Sequence, residues 1–158
     1  MRRSNILSLI LLVGTVFAFY TVIGEFIDFY KLEGTIFKVK DCILPNPATT
    51  PCFYGAFGFL IALVWSVKLL KFENMKKKLH QKYLMRFLLA GSLFAWFNAG
   101  RGILDFYKVE DARFEGAVGC SGQLVTNPFT TACFIGATLF LLSFLYSLYI
   151  YYSNRKIN

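Results

Sequence analysis

Charge is what this 158-residue chain has least of. Charged residues make up 16% of it, against 56% hydrophobic, where a soluble domain carries about 25% charged residues. Three stretches, Ser4–Gly24, Cys42–Val67 and Gly116–Asn154, hold no charge at all, which excludes an ordinary water-soluble domain. The apolar runs lack acids, lysines and histidines at their centres, the groups that proton relays, ion pathways and voltage sensors use. A coupled transporter acting alone is therefore not expected. Histidine occurs once, as His80. There is no C-x-x-C, P-loop, G-x-S-x-G or H-E-x-x-H, so the common redox, nucleotide, hydrolase and zinc-protease signatures are absent. Polar tracts are scarce beside 18 Phe, 9 Tyr and 2 Trp, which excludes disorder.

What the chain does have is long apolar runs. A helix crosses about 30 Å of hydrocarbon with about 20 residues. Four spans fit, over Ile6–Ile23, Phe53–Leu70, Tyr83–Leu104 and Cys133–Tyr152. Met1-Arg2-Arg3 could open a signal peptide, but the run after it is long and no A-x-A-like site follows, so the first span reads as a retained anchor. With alternating spans, one side collects Arg2, Arg3, Lys68, the Lys71–Lys82 loop, Arg86, Arg155 and Lys156, a net +10. The other side nets −2. The positive-inside rule then puts both termini in the cytoplasm and the loops 28–51 and 105–131 outside. The lysines read as orientation signals and contacts to anionic membrane lipids. No basic patch is interleaved with aromatics, so nucleic acid is not an expected partner.

The chain repeats itself. Residues 11–33 align without a gap to 88–110, ten of 23 positions being identical, including Asp28-Phe29-Tyr30-Lys31 and Asp105-Phe106-Tyr107-Lys108. After a slightly longer second loop, Asn46-Pro47-Ala48-Thr49-Thr50-Pro51-Cys52 matches Asn127-Pro128-Phe129-Thr130-Thr131-Ala132-Cys133. The expected fold is an all-α integral membrane protein. It is a four-helix transmembrane bundle made by tandem duplication of a two-helix unit, residues 1–79 and 80–158, forming one structural domain. Repeats of equal orientation imply a pseudo-two-fold axis along the membrane normal. Gly14, Gly91, Gly55, Gly58 and Gly136 are expected to let helices approach closely.

All four cysteines fall on the expected outer side. Duplication favours the pairs Cys42–Cys52 and Cys120–Cys133, each copy closing its own bridge, for about 2–4 kcal/mol each. Together they would pin a small outer cap. Asn46-Pro47 and Asn127-Pro128 read as turns. Thr50 and Thr131 read as N-caps of the helices that follow, in loop motifs completed by Thr49 and Thr130. Cys52 and Cys133 then sit in a first helical turn, at the positive end of a helix dipole. No metal site is expected, since the cysteines are not in close pairs and His80 lies across the membrane. Asp28, Arg101 and Asp105 form a charged collar at the outer mouth. It reads as an interfacial belt with Tyr anchors, or more sharply as a polar cluster for a ligand or headgroup. Thr35–Lys40 alternates as a short outer strand would.

The leading functional expectation is non-enzymatic and without a cofactor. It is a membrane interaction or assembly protein whose stapled outer loops contact a membrane or extracytoplasmic protein partner. A second reading is enzymatic. The layout resembles that of quinone-linked membrane enzymes that make or reduce disulfides, which carry cysteine pairs near the outer face of a four-helix bundle. The likeness is one of layout, and the cysteine spacings here are nine and twelve intervening residues. It implies thiol–disulfide exchange through Cys42, Cys52, Cys120 and Cys133, with a quinone among aromatics such as Phe53, Phe134, Tyr20 and Trp96. A third reading is a homo-oligomeric channel or lipid-binding bundle.

Overall fold

The computed structural model describes residues 3–35, 37, 46–70, 74–108, 117–118 and 124–155. Among them are four long helices: α1 (Arg3–Glu33), α2 (Pro51–Leu69), α3 (Asn74–Lys108) and α4 (Ala132–Arg155). All four are long and apolar enough to cross a membrane. At 1.5 Å per residue α2 is about 28 Å long, close to one hydrocarbon thickness. By the same arithmetic α1 is about 46 Å and α3 about 52 Å, so both overrun the layer. The helices therefore continue through the collar, and residues 28–33 and 105–108, expected in loops, are helical. Helix α1 stops at Gly34, whose φ of 69° only glycine adopts without strain and whose N–H donates to the Tyr30 carbonyl at 2.9 Å.

Helix α1 packs against α2 and α3 against α4, while α1–α4 and α2–α3 contacts close the bundle. The core is built from Leu7 and Leu11 of α1, Phe59 and Leu69 of α2, Leu84 and Leu88 of α3, and Phe140 and Ile150 of α4. At its centre the rings of Phe59 and Phe140 stack with centroids 3.9 Å apart. Gly14 and Gly91 make room for them: a β-carbon at Gly14 would lie 2.5 Å from the Phe59 ring, and one at Gly91 2.7 Å from Phe140. A β-carbon at Gly58 would lie 3.2 Å from the Phe140 ring, a lesser approach, whereas Gly55 and Gly136 have nothing within 4 Å. Their expected packing role is thus corrected, for they border open space. Side-chain bonds tie helices together, among them Ser8 to Ser66 at 2.8 Å and Gln81 Nε2 to Ser147 Oγ at 3.2 Å. Leu9, Leu12, Val16 and Tyr20 point outward from α1, as suits a lipid-facing surface.

Each NPxTT motif is a 3-10 turn (Pro47–Thr49 and Pro128–Thr130) leading into a helix. Asn46 Oδ1 accepts from Ala48 N at 2.9 Å, and Asn127 Oδ1 accepts from Phe129 N at 3.0 Å. Thr131 also caps α4 as expected, its Oγ1 accepting from Phe134 N at 3.3 Å. Thr50 occupies the N-cap of α2 but makes no such bond. Its hydroxyl donates back to the Pro47 carbonyl at 2.7 Å. An addition to the all-helical expectation is a two-residue antiparallel ladder, β1 (Ala117–Val118) with β2 (Leu124–Val125). Of the strand expected over Thr35–Lys40, only Thr35 and Phe37 are described, neither in a strand.

Candidate functional site

Helices α2 and α4 begin side by side. Pro51 and Ala132 are their first residues, and Cys52 and Cys133 come next in each. The two sulfurs lie 3.1 Å apart, within sulfur hydrogen-bond distance and not joined. A disulfide requires about 2.05 Å, so the sulfurs need approach by only about 1 Å. Cys42 and Cys120 lie outside the described residues, and with them the expected pairs Cys42–Cys52 and Cys120–Cys133. What the structure brings together is one cysteine from each half of the chain.

Beside Cys52 is a buried acid. Val22, Glu25 and Phe29 share the inward face of α1, and Glu25 is 7% exposed. Its carboxyl is turned toward the Thr50 hydroxyl and the Cys52 thiol, yet neither oxygen has a hydrogen-bond partner. The Thr50 proton is already committed to Pro47. In sequence Glu25 is a break in the repeat, opposite Gly102. One sign of its burial is on the chain, since Val22 three residues before it and Phe29 four after it are apolar and share its helical face.

Below the sulfurs runs an apolar cavity of about 50 Å³ on the bundle interior. At about 10–15 Å³ for one water it has room for a few water-sized groups. Cys52 and Cys133 line it, with Gly55 and Gly136, Phe59 and Phe140, and Phe17 and Phe94 further down. A much larger groove of about 640 Å³ opens between α2 and α3, within the size range of small-molecule sites. It shares Pro51, Gly55, Phe94, Asn98 and Phe140 with the cavity, so the two are contiguous. Tyr54, Phe87 and Phe94 are its aromatic walls. The aromatics expected from sequence are elsewhere. Phe53 packs on Phe26 and Phe57, Trp96 on Phe134, and Tyr20 is 78% exposed.

The charged collar is built from short-range contacts. Asp28 pairs with Lys31 at 3.7 Å and Asp105 with Lys108 at 2.9 Å, each along its own helix, while the Arg101 guanidinium lies 5.8 Å above the Phe97 ring. These groups are largely exposed, as an interfacial belt would be. Among the described residues no group of three or more His, Cys, Asp or Glu could hold a metal ion. No protein-family model, curated protein or solved structure matches the chain.

Proposed function

We propose that this chain is a membrane thiol–disulfide redox protein in which Cys52 and Cys133 are the exchanging pair. The observation that carries the reading is the 3.1 Å contact between two sulfurs on the opening turns of two helices. Oxidation removes two protons and two electrons from the two thiols as the S–S bond forms. A membrane quinone taking up both would become its quinol, and the groove beside Cys52 is where its ring would be held. A dithiol in an outer protein partner would then reduce the bond again by exchange. The lysine distribution supports an arrangement with the cysteine end outside and both termini in the cytoplasm.

The same reading includes the duplication. Residues 77 apart in the first helices (Leu7 and Leu84, Leu11 and Leu88, Phe29 and Phe106) are buried in both copies, as are residues 81 apart in the second (Ala56 and Ala137, Phe59 and Phe140, Ser66 and Ser147). The residues lining the small cavity fall into such pairs as well. A near-two-fold axis between the halves accounts for this, and for two equivalent cysteines meeting each other. The interaction-protein reading rests on the outer loops, of which residues 36, 38–45, 109–116 and 119–123 lie outside the described residues.

Thiol trapping in intact membranes tests the proposal, using acid quench, alkylation before and after reduction, and peptide mapping. The expected result is a Cys52–Cys133 linked peptide whose oxidised fraction follows the redox state of the quinone pool. A pair fully oxidised or fully reduced under every condition overturns it. Complete Cys42–Cys52 and Cys120–Cys133 bridges would restore the scaffold reading.

A further inference from the structure

The two halves match at the cysteines but not around them. Position 25 is a glutamate, and the residue 77 positions later is Gly102. Cys52 therefore has a carboxyl beside it that the repeat does not supply to Cys133. That carboxyl is more than nine-tenths buried, neither oxygen is hydrogen-bonded, and among the described residues no lysine or arginine pairs with it. A buried carboxyl without a partner is expensive in any protein and more so in a membrane, and such groups are kept where they do chemistry. Of the two side chains it faces, Thr50 has given its proton to the Pro47 carbonyl at 2.7 Å. The Cys52 thiol is the one donor left.

We infer that Glu25 is the proton acceptor for Cys52, and that Cys52 rather than Cys133 carries the mixed disulfide with the protein partner. The inference rests on the redox reading above. In the reducing direction the Cys52 proton passes to Glu25 and Cys52 Sγ attacks one sulfur of the partner's disulfide. One S–S bond forms, the partner's own breaks, and the departing partner sulfur takes the proton held by Glu25. Cys133 Sγ then attacks Cys52 Sγ, forming the internal bond and releasing the second partner sulfur, which takes up the Cys133 proton. Protein dithiol and partner disulfide become protein disulfide and partner dithiol, with Glu25 regenerated. The oxidising direction is the reverse, with Glu25 returning the proton to Cys52 as Cys52 is released from the partner.

The experiment uses the full chain in lipid vesicles, with 5,5′-dithiobis(2-nitrobenzoate) as the model disulfide. Single-cysteine exchange is followed across a range of pH in two backgrounds that both carry Cys42→Ser and Cys120→Ser, one with Cys133→Ser and the other with Cys52→Ser. With Cys52 present, Glu25→Gln is expected to slow exchange about a hundredfold, the lower end of what a lost proton-transfer group costs, and to remove an inflection from the pH profile. Glu25→Asp, which keeps the acid, is expected to recover part of both. With Cys133 present, Glu25→Gln should change the rate less than about threefold, a control that also reports whether the bundle is intact. An unchanged Cys52 rate and profile in Glu25→Gln overturns the inference, as does equal slowing at both cysteines. If neither cysteine of the unsubstituted chain exchanges with the probe, the redox reading itself fails, which is a separate result.

Discussion

Gly14 lies against the Phe59 ring so closely that a β-carbon on it would sit 2.5 Å from it. The ring is held in turn by Phe140, whose own ring lies against Gly91. Neither ring can retreat without disturbing the other. Gly14→Ala and Gly91→Ala should each destabilise the bundle by about 1–3 kcal/mol, the usual cost of overpacking, despite alanine's better helix propensity. Gly55→Ala and Gly136→Ala, with open space around them, should leave stability unchanged or raise it by up to about 1 kcal/mol. Reversible unfolding in mixed micelles would separate the two classes, and equal effects at Gly14 and Gly55 would contradict the packing described.

The two Asn-Pro turns have the same hydrogen bonds but not the same surroundings. Asn46 is buried and Asn127 exposed. Losing a turn-forming side-chain bond costs about 1 kcal/mol, and water can replace the lost partner only at the exposed site. Asn46→Ala should therefore destabilise more than Asn127→Ala, which the same unfolding assay would read directly.

How much of this was legible beforehand follows the range of each interaction. Helix spans and Asn-Pro turns depend on neighbours within a few residues or on lipid, and their patterns are printed along the chain. The Thr50 cap was not legible in this way: Thr50 and Thr131 donate alike to a proline carbonyl three residues back, but only Thr131 also accepts from its own helix. The Cys52–Cys133 contact joins residues 81 apart, and cysteine spacing within each copy pointed to other pairs. A signal did exist. Under the two-fold relation proposed above, equivalent residues close to the axis touch their own mates, and Cys52 and Cys133 are each the second residue of their helix. Glu25 departs from the repeat in sequence, but only the packing of α1 on α2 puts it beside a thiol.

Gln81 and Ser147 offer a measure of how strongly polar contacts bind these helices. The Gln81 amide donates to Ser147 Oγ at 3.2 Å, both residues being buried. Polar pairs between membrane helices are worth about 0.6 kcal/mol on average and about 1.7 at most. A double-mutant cycle of Gln81→Ala and Ser147→Ala should return a coupling within that interval. Zero coupling would mean that the two side chains find equally good partners apart.

The charge asymmetry makes a topological prediction that bears on every thiol experiment. Lys77 lies in the lysine-rich connection between the second and third spans, and Asn127 at the opposite end of the bundle, in the turn before α4. With its native cysteines replaced by serine, the chain should label at Lys77→Cys only after the membrane is made permeable from outside, and at Asn127→Cys without that treatment. The driving term is the lysine and arginine count beside the spans, not net charge. Replacing Lys76, Lys77 and Lys78 with glutamine should therefore weaken the preference and produce a mixed orientation. Labelling of Lys77→Cys in sealed cells would put the thiol pair on the cytoplasmic side. The Cys52–Cys133 geometry would be untouched, but a partner for the proposed exchange would have to be sought in a reducing compartment.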